Sequence, residues 1–385
     1  MRKSMKVLSV VLSVFMMLVS LQLPSLAQFE SSAGSALLME ASTGKILYEK
    51  QADIAKAPAS ITKLMTLLLA FEAIEKGQAK WDELVPISEK AWKMEGSRMF
   101  LEVGTKVPYR DIVTGISVVS ANDGCVALAE YLYGSEGSFV QMMNSKAEEL
   151  GLTKTQFQNA SGLPAEGHYM SARDIGLLTK HLLEKYPALL EIESMTQFTF
   201  SNILQYNRNP LLGRFPGADG LKTGWTDEAG YCLVGTAQQN GTRMITVVLN
   251  ATSEDHRFQV AQELLNYGFK TFEFTDAVTA GDMAGTAVVE EGKEKTVSLK
   301  LDQSATVFIP VHSKAELSFE LKMNSEVLTA PITPDTVVGE YIIYHRGQAQ
   351  ASVPVSTVHG VERAGRLELL FRRINAFFKN LFAKA

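Results

Sequence analysis

The strongest constraint on the fold is the order in which two periodicities occur between residues 28 and 275. Short apolar runs at 36–40 and 45–49, joined by Ala41-Ser42-Thr43-Gly44, read as a hairpin. So do Tyr231 to Ala237 and Thr242 to Ala251, joined at Asn240-Gly241, a dipeptide suited to a type I′ turn. Between the two hairpins the spacing predicts helices over 60–76, 109–119, 123–133, 138–150 and 171–185, and another follows over 254–268. Strands at both ends with helices between them imply an α+β domain: an antiparallel sheet closed by its first and last segments, with a helical lobe inserted. At 385 residues the chain exceeds what one core organises, so two or three domains are expected.

The pattern changes after Ala277. Alternating runs at 286–289, 296–301, 306–309, 317–323, 336–345 and 349–355, with Gly and Pro at the joints, predict a small all-β domain over 276–357, sandwich-like and without a catalytic constellation. Its expected role is a spacer or a partner surface.

The formal net charge of −5 conceals two basic ends. Residues 1–27 carry Arg2, Lys3 and Lys6 without an acid, then an apolar run from Val7 to Leu23 that leads to Ser25-Leu26-Ala27. That is the layout of a secretory signal peptide cleaved after Ala27; the alternative is an uncleaved anchor. Either way the body lies outside the cytoplasm. Over 358–385, Leu367, Leu370, Phe371, Ile374, Phe377, Phe378, Leu381 and Phe382 recur at helical spacing. Arg366, Arg372, Arg373, Lys379 and Lys384 occupy much of the remaining surface. Such a helix suits the headgroup region of an anionic bilayer, with docking on the body or on a second copy as the alternative. The rest of the chain is acidic, which offers nucleic acid no broad positive field.

The 2 cysteines exclude a disulfide scaffold or zinc ribbon. Export would permit a Cys125–Cys232 bond, but one residue falls in an apolar helix pattern and the other in a strand pattern, so two buried thiols are expected. The chain has no H-E-x-x-H, P-loop or G-x-S-x-G, and its 6 histidines are scattered. A metal site, a cofactor site and a histidine triad are therefore not expected.

Serine-lysine chemistry remains. S-x-x-K occurs at Ser42 to Lys45 and at Ser60 to Lys63, against roughly one match by chance in a chain of this length. The first lies in the hairpin turn, where such residues serve turn geometry. Ser60 opens a segment that is apolar almost all round, hence a buried helix. Three residues apart, Ser60 and Lys63 share a face. Burial disfavours the ammonium and makes Lys63 a usable base, while the positive helix end faces the oxyanion formed when Ser60 attacks. A serine N-cap followed by a snorkelling lysine is the bland alternative. Ser120-Ala121-Asn122 and Lys222-Thr223-Gly224 each occur once, the first before Asp123, a candidate N-cap, and the second leading into a strand. Chance gives about 0.2 matches per chain to the second pattern. His168 and Asp174, in a loop and in the helix start Ser171-x-x-Asp174, read as structural.

With these three motifs the chain resembles the low-mass penicillin-binding proteins that are serine D-alanyl-D-alanine carboxypeptidases, the peptidase S11 family. Pro58 to Thr66, Asn207-Arg208-Asn209 and Asp219 to Thr226 also look like that family's segments, as do the β-domain and terminal helix. The resemblance implies a penicillin-binding, β-lactamase-like transpeptidase fold for residues 28–275. It implies hydrolysis of the terminal D-alanine from peptidoglycan pentapeptide stems through an acyl-enzyme on Ser60, inhibited by β-lactams. Lys63 would take the serine proton and Ser120 would relay one to the departing D-alanine. Asn122 would bind the peptide backbone, Lys222 and Thr223 would hold the terminal carboxylate, and Gly224 would let the strand edge approach. Backbone N–H groups of Ser60 and Trp225 would form the oxyanion hole, and Arg208 would assist the carboxylate. It also places the protein on the outer face of the cytoplasmic membrane. S-A-N in place of S-D-N, with no deacylating glutamate placed before Lys222, argues against a β-lactamase. A D,D-endopeptidase acting on cross-links, or a penicillin-binding scaffold that no longer turns over, are the alternatives.

Overall fold

The computed structural model describes residues 30–382; the expected signal peptide lies outside them. The chain folds as two compact units, one ending at Tyr267 and a second beginning at Gly268.

The first unit is built on a five-stranded sheet. Its strands are β1 (Ser35–Glu40) and β2 (Ile46–Lys50), then, after two short hairpins, β3 (Leu84–Pro86) with β4 (Lys106–Pro108) and β5 (Gln197–Phe200) with β6 (Ile203–Tyr206), β7 (Ala218–Thr226), β8 (Gly230–Gln239) and β9 (Thr242–Ala251). The order β2-β1-β9-β8-β7, antiparallel throughout, pairs the first hairpin with the last strand, as the order of periodicities requires. Asn240 and Gly241 both have positive φ, +48° and +80°, which is type I′ geometry. Every residue of β1 is buried, because helices cover one face of the strand and further chain covers the other.

Among the described residues, eight helices belong to or begin in this unit: α1 (Lys63–Glu75), α2 (Glu89–Trp92), α3 (Tyr109–Val118), α4 (Asn122–Tyr133), α5 (Glu136–Glu149), α6 (Ala172–Lys185), α7 (Leu189–Glu193) and α8 (Glu254–Thr271). The apolar α1 runs through the lobe, with Leu64 to Ala70 all buried. Leu37 and Met39 of β1, and Cys232 and Val234 of β8, share one core with it by strand alternation.

The α-helix begins at Lys63 rather than at Ser60. Ala59–Thr62 form a 3-10 turn, in which Ile61 N bonds Pro58 O, and Ala59 has φ +49°, outside helical space. Asp123 does not cap α4, whose N-cap is Ala121. Its carboxylate instead accepts the N–H groups of Met99, Leu101 and Gly124, all near 3.0 Å, and ties down the 99–101 segment. Ser171 caps α6 by accepting Asp174 N, and Asp174 accepts Lys154 N and Thr155 Oγ1. Cys125 and Cys232 are buried free thiols.

In the second unit β10 (Phe272–Val278) pairs with β13 (Ala305–Pro310). A six-stranded sheet of order β14-β16-β17-β12-β11-β15 is made by β11 (Met283–Glu290), β12 (Thr296–Leu301), β14 (Leu317–Met323), β15 (Val327–Thr329), β16 (Val337–His345) and β17 (Gln348–Thr357). Val289, Val297, Leu299, Val353 and Val355 form its core. The strand β10, which straddles the boundary expected from sequence at 275, pairs with a strand of this unit. A final helix, α9 (Arg366–Phe382), follows.

Candidate active site

Five segments converge on one cleft: the 3-10 turn, the starts of α1 and α4, the loop 159–163, and β7. Ser60, Ser120, Asn122, Arg208, Thr223 and Trp225 line it. Lys63 and Lys222, each at most 2% exposed, lie beneath its floor.

Lys63 Nζ is 2.9 Å from Ser60 Oγ, 2.8 Å from Asn122 Oδ1 and 2.6 Å from the carbonyl of Ser161. Burial, with a smaller contribution from the nearby charge of Arg208, pushes its pKa down to about 8. The neutral amine keeps two N–H donors for Asn122 and Ser161 and turns its lone pair to the Ser60 hydroxyl. The geometry therefore supports both protonation states of one proton acceptor.

The third ligand of Lys63 comes from a turn built by Asn159. Its Oδ1 accepts the N–H groups of Ser161, Gly162 and Leu163, and this aims the Ser161 carbonyl at the amine. Gly162, at φ +84°, sits where a Cβ would overlap the Ala59 carbonyl oxygen. Only glycine lets this turn lock onto the turn that carries Ser60. On the opposite side β7 also passes close: a Cβ on Gly224 would lie 2.9 Å from Ser60 N and 3.1 Å from Pro58 O.

Ser120 is buried and has φ +64°, a strained conformation for serine, and it lines the same cleft as Ser60. Asn122 donates from Nδ2 to Glu95 O, 2.8 Å, and its backbone N–H bonds Ser97 O, 2.7 Å. One side-chain N–H remains for the cleft, while its carbonyl serves Lys63. Lys222 Nζ donates to Thr223 O at 3.2 Å. Burial and the positive charge of Lys63 push its pKa down. Arg208 is exposed at the rim, and the Trp225 ring, half exposed, packs near Tyr231.

Two features escaped the sequence. The buried Arg257 of α8 donates to Gly224 O at 3.3 Å and to Glu254 at 2.6 Å, which braces β7 from the cleft side. Asn159, Ser161 and Gly162 read only as loop residues, although N-x-S-G is strong turn chemistry. The S-x-x-K at Ser42 to Lys45 is structural: Ser42 and Thr43 donate their hydroxyl and backbone hydrogens to the buried Glu40 carboxylate. His168 shares a hydrogen bond with Thr62 Oγ1, 2.8 Å, and is not among the residues that line the cleft; burial pushes its pKa down to about 4.

Residues 22–253 match the family model of peptidase S11, described as D-alanyl-D-alanine carboxypeptidase, and residues 272–363 match that of the penicillin-binding protein 5 C-terminal domain. The chain is 35% identical to the D-alanyl-D-alanine carboxypeptidase DacF of Bacillus subtilis over 365 residues, 92% of each chain. It resembles the crystal structure of penicillin-binding protein 5 from Haemophilus influenzae with a TM-score of 0.74 at 32% identity, covering 87% of this chain and 99% of that one. Penicillin-binding protein D2 of Listeria monocytogenes, solved in its ampicillin-bound form, matches with a TM-score of 0.58 at 35% identity, over 63% of this chain and 99% of its own. A buried lysine on a serine, facing a Lys-Thr-Gly strand within this fold and these matches, leads to one conclusion: the chain belongs to the peptidase S11 family of D-alanyl-D-alanine carboxypeptidases.

Proposed function

We propose that the carboxypeptidase reaction runs through an acyl-enzyme on Ser60. Ser60 Oγ attacks the carbonyl carbon of the penultimate D-alanine as its proton passes to the neutral Lys63. The bond to the terminal D-alanine nitrogen then breaks, Ser120 relays a proton to that nitrogen, and water hydrolyses the ester. Lys222 and Thr223 hold the terminal carboxylate with help from Arg208, Asn122 offers its free N–H to the peptide, and the N–H groups of Ser60 and Trp225 meet the oxyanion. The observation that carries this reading is the 2.9 Å contact of Lys63 with Ser60 Oγ under full burial of the amine. The substrate is the peptidoglycan stem pentapeptide, and β-lactams acylate the same serine, in keeping with the ampicillin-bound Listeria relative. Free D-alanine is measured after incubation with a muropeptide pentapeptide, and monomer after incubation with a cross-linked dimer. D-alanine release that disappears in Ser60→Ala supports the reading; its absence from protein that penicillin labels overturns it.

The same reading extends to delivery. Residues 1–27 act as the export signal, 28–275 carry the chemistry, 276–357 form a spacer, and 358–385 rest on the outer face of the cytoplasmic membrane. Leu367, Leu370, Phe371 and Ile374 of α9 are exposed, and no helix among the described residues is long and apolar enough to cross a membrane. Both observations favour a helix lying in the interface.

A further inference from the structure

Glu193 ends α7 and is fully buried, yet neither carboxylate oxygen has a hydrogen-bond partner among the described residues. It stands directly behind the site. Its Cβ is 3.3 Å from where a side chain on Gly220 would begin, and Gly220 lies two residues along β7 from Lys222. As a packing group a carboxyl is a poor choice, because burial without a partner disfavours it in either protonation state. The acyl-enzyme mechanism leaves it unused.

Given the reading that Lys222 holds the substrate carboxylate, we propose that Glu193 is a positioning residue that keeps Lys222 in its ammonium form beneath the cleft. The groups around Lys222 otherwise work against that form. Burial disfavours it most, and Lys63 of α1 and Arg208 of the loop before β7 repel a second positive charge. Cys125 of α4 supplies no countercharge, since burial pushes its thiol up to about 12. Glu193 is the carboxylate that opposes them. On its own side Glu193 faces the Ser117 hydroxyl of α3 and Lys222. Burial pushes Glu193 up and Lys222 down, so each ionises with the help of the other and the two titrate as a pair. An arriving substrate carboxylate favours the state in which the proton sits on Lys222.

The test uses purified full-length protein and measures kcat and KM for D-alanine release from a D-Ala-D-Ala pentapeptide between about pH 5 and about pH 10. Glu193→Gln keeps the size of the side chain and removes its charge. Its KM should begin to rise about one pH unit lower than in the wild type, roughly tenfold weaker at a fixed alkaline pH. The acid limb, set by Lys63, should stay in place, and Glu193→Asp should restore the alkaline limb. A Glu193→Gln profile that overlays the wild type at an equal Tm overturns the proposal. Carbon-13 NMR of the Glu193 carboxyl in the wild type needs no variant: ionisation at neutral pH supports the proposal, and a carboxyl that stays protonated from about pH 6 to about pH 8 overturns it. A wild-type KM that never rises at alkaline pH would refute the carboxylate-holding reading of Lys222 itself, a different outcome from a rise that Glu193→Gln leaves untouched.

Discussion

Lys63 is surrounded by three oxygens at hydrogen-bond distance and shielded from solvent, so its chemistry depends on which of its protons it keeps. The ammonium satisfies all three acceptors; in the proposed reaction the neutral amine gives up its donated bond to Ser60 and serves as its base. Because burial lowers its pKa to about 8, the competent fraction grows as pH rises through that value. The acylation rate by a fluorescent penicillin should therefore fall tenfold per pH unit below about 7 and level off above about 9. Lys63→Ala should slow it by about 10²–10⁴-fold, the usual contribution of a general base, with the fold retained in circular dichroism. Gly224 makes a second test. Its missing Cβ is what lets β7 reach the nucleophile's turn, and the atoms in the way are mostly backbone. Gly224→Ala should cost about 1–3 kcal/mol of stability in urea melts and lose penicillin labelling at the same time, because the strain falls on Ser60 N.

Local patterns explain most of the elements but not their terminal geometry. Helices at 109–118, 122–133, 136–149 and 172–185 and both long hairpins fall where period and turn residues place them, since amphipathic burial and Asn-Gly turns are encoded within a few residues. The 3-10 turn at Ser60 is not legible in that way. It arises because Gly162 and Gly224 press on it from two distant segments and leave no room for a regular helical start. Strand β15 and the β5–β6 hairpin, and the assignment of β10 to the second unit, are equally hidden, because these short segments are fixed by their partners rather than by their own pattern. Asp123 is a related case: its position suggests a cap, while two of its three partners lie more than twenty residues away. Asp123→Ala should strip two loop N–H groups of their acceptor, lower stability by about 1–3 kcal/mol in urea denaturation, and loosen the segment that presents Ser97 to Asn122.

At the scale of the whole molecule the cleft is confined to one unit. Every residue that lines the cleft belongs to the first unit. Removing residues 359–385 should therefore leave turnover of a soluble pentapeptide unchanged while abolishing binding to anionic liposomes in a sedimentation assay; unchanged liposome binding would refute the membrane role of α9. The two basic ends and the acidic body fit that division of labour. On the proposed membrane reading, a terminal helix with basic residues would be drawn to an anionic surface that repels the acidic body.

By itself the sequence determined the sheet closed by its first and last segments, the contact pair Ser60 and Lys63, and the two motifs that share its cleft. The motifs are carried by spacings within a few residues, and the sheet by the order in which locally encoded strands and helices follow one another. Only the tertiary structure decided what makes the site work: the Ser161 carbonyl on Lys63, the bracing of β7 by Arg257, the hold of Asp123 on the 99–101 segment, and Glu193 buried behind Lys222. These depend on groups brought together from up to about a hundred residues apart, where burial rather than spacing sets the energy of a charge.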